Sequence, residues 1–200
     1  MKTMVDKRTL FLDTNLRCGG FYELCIQVCP SVEPKPIYKY DNYIWSLPNV
    51  EGPYDHNFNQ IALEEKPWME YQGILNLENY SIPFKTINIK EDEPIETGFN
   101  WFDICFYTQA IEQVFGREYN TWEDIPKPPK LLKGFLLETV SNLYKEHSFE
   151  LGLIGFEVSG QYYLDDLKKK LSKMYFTEFF VGKEKLKSVL PENKKEINVI

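Results

Sequence analysis

The chain has 200 residues, of which 43% are hydrophobic and 26% are charged, and its formal net charge is −7. A chain of this length can bury a core without disulfides or a structural metal, which favours a single globular domain. The negative charge disfavours nonspecific binding to nucleic acid and attachment to an anionic membrane, because both depend on Lys and Arg. We therefore expect neither nucleic acid nor a membrane as a partner.

The N-terminal residues contain no apolar segment long enough for a signal peptide, since Thr9–Leu12 is followed at once by Asp13. No other run approaches the roughly eighteen apolar residues of a membrane span. The expected location is the cytoplasm, so the four cysteines are expected to be free thiols. On a shared strand, Cys25 and Cys29 would lie on one face about 13 Å apart, too far for a disulfide.

Acidic and aromatic residues are concentrated in the first part of the chain. Residues 1–125 contain twenty Asp and Glu against ten Lys and Arg, whereas residues 126–200 contain ten against thirteen. All four tryptophans also lie in the first part. The aromatic residues fit a Tyr- and Phe-rich core, and together with the acidic charge they also fit a surface that binds a basic partner.

Among the predicted elements, Phe21–Cys29 is the clearest strand, because apolar residues alternate with Glu23 and Gln27 on the opposite face. Residues 37–45 are rich in Tyr and interrupted by Asp41-Asn42, which predicts a β-hairpin. The sheet is therefore expected to begin antiparallel.

Residues 48–67 have no sustained periodicity and are expected to form a long loop, which in a compact domain is functional or mobile. Residues 82–89 alternate weakly and predict a strand, and the apolar run 99–107 predicts a buried one. A short helix is then expected from Thr108, as its cap, to Phe115, with Gly116 as its C-terminal stop.

A stiff Pro-Lys-Pro-Pro segment at 126–129 marks a break between subregions. Beyond it the periodicity predicts, in order, a helix over 131–147, a strand over 149–158, a helix over 163–174 and a strand over 175–181.

These elements predict an α+β fold with a mainly antiparallel sheet built from the N-terminal two-thirds and two amphipathic helices in the C-terminal third. Residues 1–182 are expected to form one domain. The Lys- and Glu-rich tail 183–200 is expected to be partly disordered.

No motif in the chain identifies a reaction or a cofactor, and neither a cofactor nor a metal is expected. The two histidines, His56 and His147, are far apart in sequence, and the cysteine spacing does not match a zinc motif. A nucleophilic site of Cys105, His56 and Asp55 can be drawn, but nothing in the sequence brings these residues together. Glycine-rich phosphate-binding loops are absent from the sequence.

The leading hypothesis is therefore a cytoplasmic protein that binds or inhibits a basic protein, and a narrower form of it is a bacterial immunity protein that neutralises a toxin. Two alternatives remain: a small-molecule or nucleotide-processing enzyme with a pocket near Asp55, His56 and Asp103, and a structural homo-oligomer. Aromatic and acidic side chains anchor protein interfaces, which makes these residues the candidate contacts: Tyr43, Trp45, Tyr54, Asp55, Glu91, Asp92 and Glu93.

Overall fold

The computed structural model describes residues 6–33, 37–64, 69–91, 98–119, 128–171 and 177–200, and these form an α+β fold around one eight-stranded sheet. The strands are β1 (Phe21–Pro30), β2 (Val50–Tyr54), β3 (Met69–Leu77), β4 (Tyr80–Lys90), β5 (Phe99–Tyr107), β6 (Leu151–Phe156), β7 (Glu178–Val181) and β8 (Ile197–Val199). The α-helices of the described residues are α1 (Lys7–Leu12), α2 (Ile37–Ser46), α3 (Thr108–Phe115) and α4 (Lys130–Glu146).

The strand order across the sheet is β2-β3-β4-β5-β1-β6-β7-β8, and every neighbouring pair is antiparallel except β7 and β8. The five strands from the first part of the chain therefore lie side by side, and the three later strands lie together beyond β1. The strands of the acidic first part of the chain thus occupy one side of the sheet and those of the later part the other.

Strand β1 confirms the predicted strand and occupies the interior of the sheet, between β5 and β6. Its polar face is not exposed, since Glu23 and Gln27 are both buried. An irregularity in the β1–β5 register between Gln27 and Cys29 turns Cys29 towards the opposite face from Cys25. The expectation that Cys25 and Cys29 share a face is therefore wrong, and all four cysteines are free.

Two hydrophobic clusters cover the two faces of β1. On one face, Leu24 and Ile26 belong to a cluster with buried residues of α2 and α4. On the other, Cys25 belongs to a cluster with Val158 and Leu164, which lie in the segment that follows β6. Apolar residues on both faces explain why this strand is buried from Tyr22 to Cys29.

The predicted hairpin at residues 37–45 is wrong, because this segment forms helix α2. Tyr40 and Ile44, four residues apart, face the core and are fully buried. Asp41 is also buried, and its carboxylate accepts hydrogen bonds from Thr86 and from Asn88 of β4. Tertiary contacts on one helix face therefore override the strand-like composition of the segment.

Two further expectations need correction. The predicted loop at 48–67 contains β2, and β3, which was not predicted, follows it in the sheet. Of the helix expected over 163–174, the described part forms only a 3₁₀ turn at Leu164–Lys168, and residues 172–176 lie outside the described residues. The α-helices of the described chain are thus spread along the sequence, with α4 alone in the C-terminal third.

Strand β5, helix α3 and helix α4 confirm the predicted elements closely. Gly116 ends α3 as expected, at a positive φ of 133°, but Tyr107 and not Thr108 occupies its N-cap.

The C-terminal residues form two 3₁₀ turns and then β8, which pairs parallel to β7. The break proposed at 126–129 falls partly outside the described residues. None of the helices in the described ranges combines the length and the apolar character needed to span a membrane.

Candidate functional site

Two of the sequence-predicted contact residues lie on α2. The indole of Trp45 stacks on Phe84 with a centroid separation of 5.2 Å and meets Tyr71 edge-on at 6.2 Å, so it packs against the core. Tyr43 is half-buried next to Asn142 of α4, and burial followed by the negative charge of Glu138 raises the pKa of its hydroxyl.

Tyr54 and Asp55 lie where β2 ends. The ring centroid of Tyr54 is 4.2 Å from that of Phe58, and both rings contact Phe11. The Asp55 carboxylate accepts hydrogen bonds from the backbone N–H groups of Asn59 at 2.8 Å and of Asn57 at 2.9 Å, which lower its pKa. Asp55 therefore shapes the turn that presents the Tyr54–Phe58 pair.

Glu91 lies at the end of β4. Its carboxylate accepts hydrogen bonds from the Phe99 backbone N–H at 3.0 Å and from the Tyr163 hydroxyl at 2.9 Å. Asp92 and Glu93 fall outside the described residues. The described members of the predicted set thus lie on three elements: α2, the end of β2 and the end of β4.

The fold does not bring together the three residues of the alternative pocket, Asp55, His56 and Asp103. Asp55 and His56 follow β2, whereas Asp103 lies in β5, and β3 and β4 separate these strands in the sheet. Three strand spacings amount to about 14 Å. The same separation keeps Cys105 of β5 away from His56.

β2 is an edge strand of the sheet, and it and the segment that follows it carry a group of exposed or partly exposed aromatic, aliphatic and acidic side chains. This group consists of Tyr54, Phe58, Ile61 and Glu64, which we call the β2-edge surface. Ile61 donates its backbone N–H to the Pro53 carbonyl at 2.9 Å, which holds this segment along β2, and its side chain is 37% exposed. Lone exposed aliphatic residues are common, so the proximity of the aromatic pair is what distinguishes this edge.

A second group of polar residues lies buried between β1 and β5. In the antiparallel register Glu23 is opposite Cys105, and Cys25 is opposite Asp103. Because residues two apart on a strand share a face, these four side chains occupy the corners of a square on one face of the sheet. All four residues are at most 2% exposed. We call them the β1–β5 cluster.

Ser159, in the turn after β6, closes this cluster from outside. Its backbone N–H donates to Glu23 Oε1 at 2.8 Å, and its hydroxyl donates to Asp103 Oδ2 at 2.5 Å. The Cys105 thiol donates to Glu23 Oε2 at 3.4 Å. Ser159 itself is exposed, so the cluster contacts a residue at the protein surface.

The cluster strongly perturbs its ionisable groups. Burial, followed by the charge of Asp103, raises the pKa of Glu23 to about 7. Burial also raises the pKa of the Asp103 carboxyl and of the Cys25 and Cys105 thiols. Two carboxyls and two thiols held this closely can share protons or bind a cation.

The cluster was missed in the sequence because its two halves are 80 residues apart. The available signal was a repeated acid-x-Cys pattern, Glu23-Leu24-Cys25 and Asp103-Ile104-Cys105, in two segments that both predict strands. Only if these strands are antiparallel neighbours in this register do the four side chains meet.

Comparisons of the chain with protein-family models, with curated proteins and with solved structures gave no match. Function must therefore be argued from the residues themselves.

Proposed function

We propose that this chain is a cytoplasmic protein-binding protein that inhibits a basic partner protein, and that the β2-edge surface contributes to the contact. The observation that carries the proposal is the strand order, which places the five strands of the acidic part of the chain side by side and makes β2 the edge strand.

Charge supports a basic partner for this half of the molecule. Among the described residues up to 119, eleven acidic side chains are not buried, against seven basic ones. Complementary charge accelerates the encounter between proteins and selects against partners of the same sign.

Side-chain chemistry at the edge supports contact rather than catalysis. The rings of Tyr54 and Phe58 are partly exposed, and Ile61 adds exposed aliphatic surface beside them. Aromatic residues contribute most to the affinity of protein interfaces when a partner removes them from water. Basic side chains also border this surface: the Arg8 guanidinium lies 5.9 Å from the centre of the Phe58 ring, and Lys7, which is ion-paired with Glu51, acts electrostatically on Tyr54.

The first experiment is capture of partners on the full-length chain from a lysate of the organism that produces it, at low and high salt. We expect one stoichiometric basic protein whose binding weakens as salt rises. A toxin among the captured proteins, together with rescue of growth on co-expression, would support the narrower immunity hypothesis. Absence of a partner would contradict the proposed binding function in favour of an enzyme. Self-association that increases with concentration would contradict it in favour of a homo-oligomer.

A charge-reversal pair tests the proposed half of the sheet. Glu64→Lys changes an exposed residue of the β2-edge surface, and Glu196→Lys makes the same change next to β8 on the opposite edge. We expect Glu64→Lys to reduce the association rate at low salt by about tenfold or less and Glu196→Lys to leave it unchanged. Equal effects would show that only net charge matters.

A further inference from the structure

We propose that Glu23, Asp103 and Cys105 of the β1–β5 cluster bind one divalent transition-metal ion, of which Zn²⁺ is the expected example. This inference does not depend on the proposed function, because the cluster is buried on β1 and β5, and β3 and β4 separate these strands from β2.

The spacing of the three ligands suits a metal ion. One ligand atom from each of Glu23, Asp103 and Cys105 lies within 4.8 Å of the other two. Zinc bonds of about 2.0 Å to oxygen and about 2.3 Å to sulfur bring tetrahedral ligands to about 3.3–3.8 Å from one another. Movements of about 1 Å in the side chains would therefore complete the site. Cys25 adds a second sulfur next to Asp103, opposite it in the register.

An unsatisfied oxygen points independently to a missing ligand. Asp103 Oδ2 accepts the Ser159 hydroxyl and the carboxyl also interacts with the Cys25 thiol, but Oδ1 is buried and has no hydrogen-bond partner within the described chain. The residue is 2% exposed. A buried polar atom without a partner destabilises the folded state, and such atoms are rare in folded proteins. A bound cation would satisfy this oxygen.

Charge balance also favours a dication. With the two carboxylates and the Cys105 thiolate ionised, three negative charges would lie close together in a buried position. A dication offsets two of them, and Lys85, opposite Cys105 in the β4–β5 register, acts electrostatically on both Asp103 and Cys105. On binding, the Cys105 thiol proton and any proton held by Glu23 or Asp103 pass to the buffer.

The ligand set selects the class of metal. A thiolate ligand disfavours Mg²⁺ and Ca²⁺, which prefer oxygen alone, and favours Zn²⁺ or Co²⁺. Ser159 is exposed, and its backbone N–H and hydroxyl each donate a hydrogen bond to one of the carboxylates and hold both in place. Ser159 is thus a positioning residue for the site.

The test uses the full-length chain, reduced and freed of metal with a chelator that is then removed. Titration with Co²⁺ is expected to produce a thiolate-to-cobalt charge-transfer band that saturates at one equivalent, and Zn²⁺ is expected to abolish it by competition. Cys105→Ser should remove the band, and Asp103→Asn should weaken Zn²⁺ binding by about 100-fold or more. Circular dichroism would establish that each variant is folded.

Cys29→Ser is the matched control for Cys105→Ser. Cys29 of β1 is a buried thiol, as Cys105 of β5 is, but it lies on the opposite face of the sheet. It should bind Zn²⁺ as the wild type does. Ser159→Ala replaces an exposed residue that is not a ligand. It should weaken binding by about tenfold, and it can be measured even if Cys105→Ser fails to fold. Failure of the wild type to bind either metal would overturn the proposal. Unchanged binding in the folded Asp103→Asn and Ser159→Ala variants would also overturn the proposal, and so would loss of binding in Cys18→Ser.

Discussion

Replacement of Glu23 by Gln should make the chain more stable than wild type at neutral and alkaline pH. Glu23 is 2% exposed and lies beside Asp103, and burial followed by that charge raises its pKa from an ordinary 4.5 to about 7. In the folded state the carboxyl thus holds its proton to a higher pH than in the unfolded state. Gln has almost the same shape, retains an oxygen that can accept the Ser159 N–H, and carries no charge.

The sign follows from proton linkage. Between about pH 4.5 and pH 7 the folded state binds more protons at this site than the unfolded state, so stability falls as pH rises through this range. The contribution of the Glu23 carboxyl to the stability of the folded state is complete below pH 4.5 and is lost as pH passes 7. A pKa difference of about 2.5 corresponds to about 3 kcal/mol, and between pH 5 and pH 8 the expected change is about 2–3 kcal/mol.

The assay is urea unfolding of the full-length chain, with EDTA throughout so that no metal contributes. The free energy of unfolding of Glu23→Gln, minus that of wild type, should be about 2–3 kcal/mol more positive at pH 8 than at pH 5. Glu192→Gln, at an exposed position, removes the same charge and should leave this difference near zero. If the difference in free energy of unfolding between Glu23→Gln and wild type were the same at pH 5 and pH 8, the raised pKa of the buried Glu23 carboxyl would be refuted.

Two other substitutions test the packing of the fold by urea unfolding. Trp45→Ala should lower the free energy of unfolding by about 3 kcal/mol, because the indole stacks on Phe84; a loss below about 1 kcal/mol would instead favour Trp45 as a free contact residue. Asn193→Ala should cost about 2 kcal/mol, because the buried amide donates to the carbonyls of Leu167 and Lys169. No loss in Asn193→Ala would mean that residues 183–200 contribute little to the fold.

Where local pattern and tertiary environment agree, the sequence predicts the element well. Residues 99–107 are apolar enough to specify a buried strand wherever they lie in the sheet, and the apolar periodicity beyond Pro129 specifies α4. Segment 37–46 shows the opposite case. Its aromatic residues have high strand propensity, yet contacts of Tyr40, Asp41 and Ile44 with the core stabilise a helix.

Long-range register limits prediction of the candidate sites. Each half of the β1–β5 cluster lies in a correctly predicted strand, but the pairing of Cys25 with Asp103 depends on a contact between residues 78 positions apart. The irregularity after Gln27 also reverses the face of Cys29, which no local pattern indicates. Glu91, predicted as a contact residue from its acidic neighbours, hydrogen-bonds to Phe99 and Tyr163 within the fold.

The measurement that tests the proposed binding function most directly is the affinity of the captured partner for two matched variants. Ile61→Arg places a charge in the β2-edge surface, and Val199→Arg places the same charge on β8 at the opposite edge, where the native valine is 49% exposed. We predict at least about a tenfold loss of affinity for Ile61→Arg, equivalent to about 1.4 kcal/mol, and no loss for Val199→Arg. Equal affinities for both variants and wild type would contradict the proposed contact surface.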